Sequence, residues 1–140
     1  MKTPRAVVAF VCAGLFAATL PAQDTRLSNV SVRTSAGGAD ILITGFTIGP
    51  GPSKTILVRA VGPTLGIFGV PGTLADPKLE LYNSSAVKIG ENDNFNAVDT
   101  ATFASVGAFP LGVGAKDAAI VTTLAAGSYT AQVTDRKSVV

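Results

Sequence analysis

The chain has 140 residues, with 11 Lys+Arg, 9 Asp+Glu and no His, for a formal net charge of +2. Apolar residues make up 47% and charged residues only 14%, which excludes a charge-rich disordered tail. The missing His excludes a Ser-His-Asp triad, a Cys-His pair and any His-ligated zinc or haem.

Residues 1–22 read as a secretory signal peptide. Lys2 and Arg5 give the positive start, residues 6–20 form an apolar run, and Pro21-Ala22 breaks it. The run is shorter than the roughly 20 residues that span a bilayer. Cleavage is expected between Ala22 and Gln23, with a retained anchor as the alternative. Cys12 lies inside the run, and Ala9-Phe10-Val11 before it is a poor lipobox. A cleaved chain therefore has no cysteine and no disulfide.

Residues 135–140, Asp-Arg-Lys-Ser-Val-Val, are what GAT CGG AAG AGC GTC GTG would encode. That string resembles a common short-read sequencing adapter, so the tail is expected to be non-native and the domain truncated. Residues 23–134 then form the single domain. They carry seven basic and eight acidic residues, a net charge of −1. No basic cluster remains, which argues against a nucleic-acid partner.

In chain order, residues 27–33 alternate weakly, with Val30 and Val32 on one face, and Gly37-Gly38 turns. Residues 40–48 form a strand. Gly49-Pro50-Gly51-Pro52-Ser53 is a strong turn signal. Residues 54–61 give the clearest strand: Ile56, Val58 and Ala60 face one way, Leu57, Arg59 and Val61 the other. The two strands around this turn predict a hairpin. Residues 62–77 form a long apolar loop that packs over one end of the fold. Residues 78–83 form a short strand with Leu79 and Leu81 inward, and residues 87–90 run back with Val87 and Ile89 inward. Residues 97–106 predict a short helix with Val98, Ala101 and Ala104 or Ser105 on one side. Residues 117–124 and 128–134 are the last strands, with Tyr129, Ala131 and Val133 on one face of the second. Seven short strands predict an all-β fold, an antiparallel β-sandwich of jelly-roll or Ig-like type.

Four motifs bear on chemistry. Leu124-Ala125-Ala126-Gly127-Ser128-Tyr129 has the L-x-x-G-x-Y form of a tyrosine corner, a stabilising feature. Glu91-Asn92-Asp93-Asn94 is the densest oxygen-donor cluster. It reads as a polar loop with Asn94 or Asn96 as an N-cap, and as a Ca²⁺ site in the alternative. Ser85-Ala86-Val87-Lys88 fits S-x-x-K but lacks the partner motifs of penicillin-recognising enzymes. Gly107 to Gly112 starts like a P-loop, yet Val113 stands where Lys is required. Asp76-Pro77 reads as a turn before a strand.

Several stretches together resemble a family. They include Gly45-Phe46-Thr47-Ile48-Gly49, Leu57-Val58-Arg59-Ala60-Val61-Gly62-Pro63, Leu74-Ala75-Asp76-Pro77, Leu79-Glu80-Leu81-Tyr82, Gly107-Ala108-Phe109-Pro110-Leu111, Lys116-Asp117-Ala118-Ala119 and Gly127-Ser128-Tyr129-Thr130. In this order they resemble a β-sandwich module recurrent in exported and cell-surface proteins of environmental bacteria. More distantly, the second half is similar to pre-peptidase C-terminal domains. The resemblance implies an extracellular context beside immunoglobulin-like or fibronectin-like domains, and no established activity. Complete modules of this kind end in an apolar strand after a Gly-rich turn, which the expected tail replaces here.

The expectation is a secreted or cell-surface structural or adhesive module. No catalytic residue, cofactor or metal is expected. Its partners would be neighbouring domains of a larger extracellular protein or surface polymers, with no membrane partner in the mature form. The alternative is a carbohydrate- or calcium-binding accessory module. With no Trp, and Tyr82 and Tyr129 the only tyrosines, sugar stacking has few candidate platforms.

Overall fold

The computed structural model describes residues 30–33 and 40–136. Six strands follow in order: β1 (Leu42–Ile48), β2 (Lys54–Ala60), β3 (Pro77–Asn83), β4 (Lys88–Asn92), β5 (Ala118–Leu124) and β6 (Gly127–Asp135). Two short helices interrupt them, α1 (Pro63–Ile67) and α2 (Thr100–Ser105), and a 3-10 turn (Ala97–Asp99) leads into α2. The chain is mostly β, as its punctuation by Gly and Pro implies. Two antiparallel sheets form, one of order β1-β6-β3-β4 and one of β2-β5.

Alternation places the core. Leu79 and Leu81 of β3, Ala131 and Val133 of β6, Ala118 and Leu124 of β5 and Ala60 of β2 point into one shared cluster. β2 carries apolar residues on both sides, and both are packed along its second half. Ile56 and Val58 pack on this cluster, while Leu57 and Val61 pack on a second one around Phe103, Leu111 and Ala119. Coverage of the four-stranded sheet falls toward β1. Leu79 and Leu81 are fully buried, whereas Leu42 and Phe46 are half-buried.

The structure corrects several expectations. β1 and β2 do not form a hairpin: β1 pairs with β6 and β2 with β5. The connection through Pro50 and Pro52 carries the chain from one sheet to the other, and a proline has no N–H for a ladder. Six strands stand among the described residues instead of seven. Val30 and Val32 are exposed and unpaired, and residues 27–29 lie outside the described residues. Val87 and Ile89 face outward. The regular register sets Gly90 opposite Leu81, so Gly90 takes the inward position beside Ile120; the shift that follows, with Tyr82 opposite Lys88, leaves Ile89 as an extra residue of β4. The helix near residues 97–106 exists, but Phe103 is its buried side chain and Val98 is 76% exposed. The long loop is also more ordered than its breakers imply, because it contains α1. Leu74 packs on the core, whereas Ile67 and Phe68 stay exposed.

The tyrosine corner forms as expected. Tyr129 Oη donates to the Ala125 carbonyl oxygen at 3.0 Å, where the chain crosses between the sheets. The ring also stacks on Phe46, with centroids 5.6 Å apart. Tyr129→Phe keeps the ring and loses one bond, so it is expected to cost about 1 kcal/mol. Urea melts of the two proteins check this, and equal midpoints would contradict it.

Candidate functional site

Asp117 immediately precedes β5 and is fully buried. Its Oδ1 accepts the backbone N–H of Gly62 at 2.7 Å and of Thr64 at 3.3 Å. Its Oδ2 accepts the Thr64 hydroxyl, whose oxygen accepts the Gly112 N–H at 2.9 Å. A carboxylate stays inside a protein only with such donors. The four bonds tie the end of β2, the first turn of α1, the loop before β5 and β5 itself into one knot. Pro63 has no N–H, so the residues on either side of it supply the donors.

The neighbouring Lys116 reaches a different loop. Its Nζ donates to Asp76 Oδ2 at 2.8 Å, while Asp76 Oδ1 is buried and has no hydrogen-bond partner among the described residues. The adjacent pair Lys116-Asp117 thus fastens the Ala75-Asp76 turn and the Gly62-Thr64 turn together. The end of β6 joins the same corner. Asp135 accepts the N–H groups of Ala75 and Asp76 at 3.3 and 3.2 Å, and the Arg136 N–H reaches the Asp76 carbonyl at 2.9 Å. β6 therefore continues past residue 134, the expected domain boundary. Residues 137–140 lie outside the described residues.

Arg59 leaves β2 on the side away from the shared core. Its Nη1 donates to the Phe109 carbonyl at 2.7 Å, and its guanidinium lies 4.5 Å from the Phe109 ring centroid and 5.3 Å from that of Phe103. Burial lowers the Arg59 pKa, and the negative charge of Asp117 opposes that shift. Phe109 meets Phe68 edge to face at 5.4 Å. With Ile67, Phe68 and Val113 exposed, the loops beside this arginine present apolar side chains to solvent.

Residues 91–94 point in separate directions. Glu91 pairs with Lys88 and, at 3.6 Å, with Lys78. Asn92 Oδ1 accepts the Ala119 N–H at 3.0 Å, and its Nδ2 donates to the Asn94 carbonyl at 2.9 Å. Asp93 pairs with Arg136. Asn96, one of the two expected caps, accepts the Val98 N–H at 3.2 Å. Among the described residues no group of three or more carboxylate, thiol or imidazole side chains is placed to hold a metal ion.

On β3 and β4 the side chains of Lys78, Glu80, Lys88 and Glu91 form an ion-pair ladder. Hydrogen bonding from Lys78, then from Lys88 and Tyr82, holds the Glu80 carboxyl below its ordinary value of 4.5, against an opposing effect of burial. Hydrogen bonds to Glu91 and Glu80 push the Lys88 ammonium up to about 12. A carboxyl whose folded pKa is depressed contributes stability above its unfolded pKa and loses it as pH falls through the folded value. Glu80→Gln is therefore expected to cost less than about 1 kcal/mol at pH 7, as solvent-exposed pairs do. The difference should close as pH falls below 4.5, the unfolded value. Urea melts across that range check the prediction, and a difference that persists unchanged in acid contradicts it.

The expected cleavage pair Ala22 and Gln23 lies outside the described residues. Among the described residues no helix is long and apolar enough to cross a membrane. Sequence reasoning missed Thr64 and the burial of Asp117. The available signal was a single carboxylate directly before an apolar strand, since charged residues are rarely buried unless partnered. Comparison with family models, curated proteins and solved structures found no match to this chain.

Proposed function

We propose that this chain is a secreted or cell-surface β-sandwich module with a structural or adhesive role and no catalytic activity. Its partners are neighbouring domains of a larger extracellular protein or surface polymers. The observation that supports this reading most is the use made of its buried polar groups. Asp117 and Thr64 spend their bonding capacity on backbone N–H groups and on each other, and the half-buried Asn92 spends its own on the Ala119 N–H and the Asn94 carbonyl. Residues that hold loops in this way serve a scaffold. The exposed Ile67, Phe68 and Val113 give that scaffold an apolar loop tip of the kind that meets another domain.

The full chain, expressed with its own N-terminus in a bacterial host, tests both parts. Protein recovered outside the cytoplasm is expected to begin at Gln23, and a sequence still beginning at Met1 contradicts export with cleavage. Purified protein mixed with insoluble cell-surface polymers is expected to be depleted saturably. Failure to bind any of them contradicts the adhesive role.

A further inference from the structure

We propose that the outer face of the four-stranded sheet, between β3 and β6, is a binding site for a neutral glycan. This goes beyond the scaffold reading and does not depend on it. An open pocket of about 440 Å³ lies there, lined chiefly by Tyr82, Asn83, Ser84, Ser128, Thr130 and Gln132. Its volume falls within the range of small-molecule sites. Strand alternation explains the lining. Leu79 and Leu81 point inward on β3, so Tyr82 points out, and Ala131 and Val133 point inward on β6, so Ser128, Thr130 and Gln132 point out. Tyr82 stands directly opposite Thr130, and beyond Thr130 comes Gly45 of β1. A side chain added at Gly45 would touch only the Tyr129 carbonyl oxygen, so the face stays open on that side.

The pocket walls are held from outside. Tyr82 Oη donates to Glu80 Oε2 at 3.1 Å, and Glu80 is itself held by Lys78 and Lys88 at 2.9 and 3.2 Å. Asn83 Oδ1 accepts the N–H groups of Ser85 and Val87, each at 3.0 Å, which fixes the turn at residues 83–86. Ser128 Oγ meets Thr47 Oγ1 at 3.5 Å. Ser84, Thr130 and Gln132 make no side-chain hydrogen bond among the described residues.

The chemistry of the lining selects the ligand. Its lining residues carry no formal charge, and Glu80, which stands opposite Gln132 at the edge, is already paired with Lys78 and Lys88. Hydroxyl and amide groups that can both donate and accept would be left unpaired against an apolar ligand. A polyol matches them, and the phenol ring gives it an apolar surface. Of the two tyrosines, Tyr129 is committed to the corner and Tyr82 borders the pocket.

Native affinity electrophoresis of the full chain in gels containing β-glucan, mannan, galactan or dextran tests the site. At least one polymer is expected to retard the protein, with retardation unchanged between about 0.05 and 0.5 M salt because no ion pair is involved. Thr130→Val and Gln132→Met keep the strand and remove hydrogen-bonding groups. Each is expected to weaken binding about tenfold, the equivalent of about 1.4 kcal/mol, with unchanged melting temperature. Lack of retardation in every gel overturns the proposal. So does retardation that both variants retain in full, or retardation that the salt series abolishes. Depletion by surface polymers that survives both substitutions would leave the adhesive reading standing and remove this site.

Discussion

Asp117→Ala is expected to destabilise the domain by about 4 kcal/mol, a large share of its margin, since single domains are stable by about 5–15 kcal/mol. The carboxylate accepts two backbone N–H groups and one hydroxyl in a fully buried site. Hydrogen bonds to a charged group contribute about 1.5–3 kcal/mol each, and every buried donor left unpaired costs a further desolvation penalty. Water entering the cavity offsets part of that loss, so the sum stays below the simple total. With a urea slope of about 2 kcal/mol/M, the midpoint should fall by about 2 M. Asp117→Asn retains one carbonyl but turns an amide N–H₂ toward a donor, so it should recover less than half of the loss. A midpoint shift within error for Asp117→Ala would show that the knot does not hold the loops.

Gly62→Ala is expected to cost about 3 kcal/mol, although it adds a single methyl group. A Cβ at this position would collide with the Leu74 carbonyl oxygen and lie 3.2 Å from Pro77 Cδ. Both obstacles belong to a chain segment fixed by its own bonds, since Pro77 opens β3 and Asp76 is tied to Lys116. The backbone at residue 62 must therefore move, and with it the N–H that donates to Asp117. Backbone strain and a weakened buried bond act together. Thermal melts give the comparison, and an unchanged melting temperature would contradict the close approach.

Inward and outward faces were legible where a strand keeps strict period two against one core. Leu79 and Leu81 of β3, and Tyr129, Ala131 and Val133 of β6, fall on the expected faces. Gly127 and Tyr129 announced the corner, because a turn glycine two residues before a tyrosine is a local pattern. Strand pairing was not legible. β1 joins β6 across about half the chain, and no local signal distinguishes that partner from β2. The facing of β4 was missed because it is set by the register against β3, where Gly90 pairs with Leu81 and Ile89 is skipped, and no local pattern in residues 87–90 shows that pairing. Asp117 was visible only as a recurring motif with its neighbours. Its partners, Gly62 and Thr64, stand more than fifty residues earlier, and only the folded chain brings them together. The pocket beside Tyr82 was hidden for a similar reason, since its two walls belong to β3 and β6.

The most direct test of the scaffold reading is a double-mutant cycle on Thr64 and Asp117, measured by urea unfolding of the wild type, Thr64→Val, Asp117→Ala and the double variant. Residues that share one buried bond network show interaction energies of about 0.5–3 kcal/mol. The account predicts a coupling of about 1–2 kcal/mol here, because removing either partner already breaks the hydroxyl–carboxylate bond. Losses that simply add, with a coupling below about 0.3 kcal/mol, would show that the two residues act separately and would contradict the knot as the element that fastens these loops.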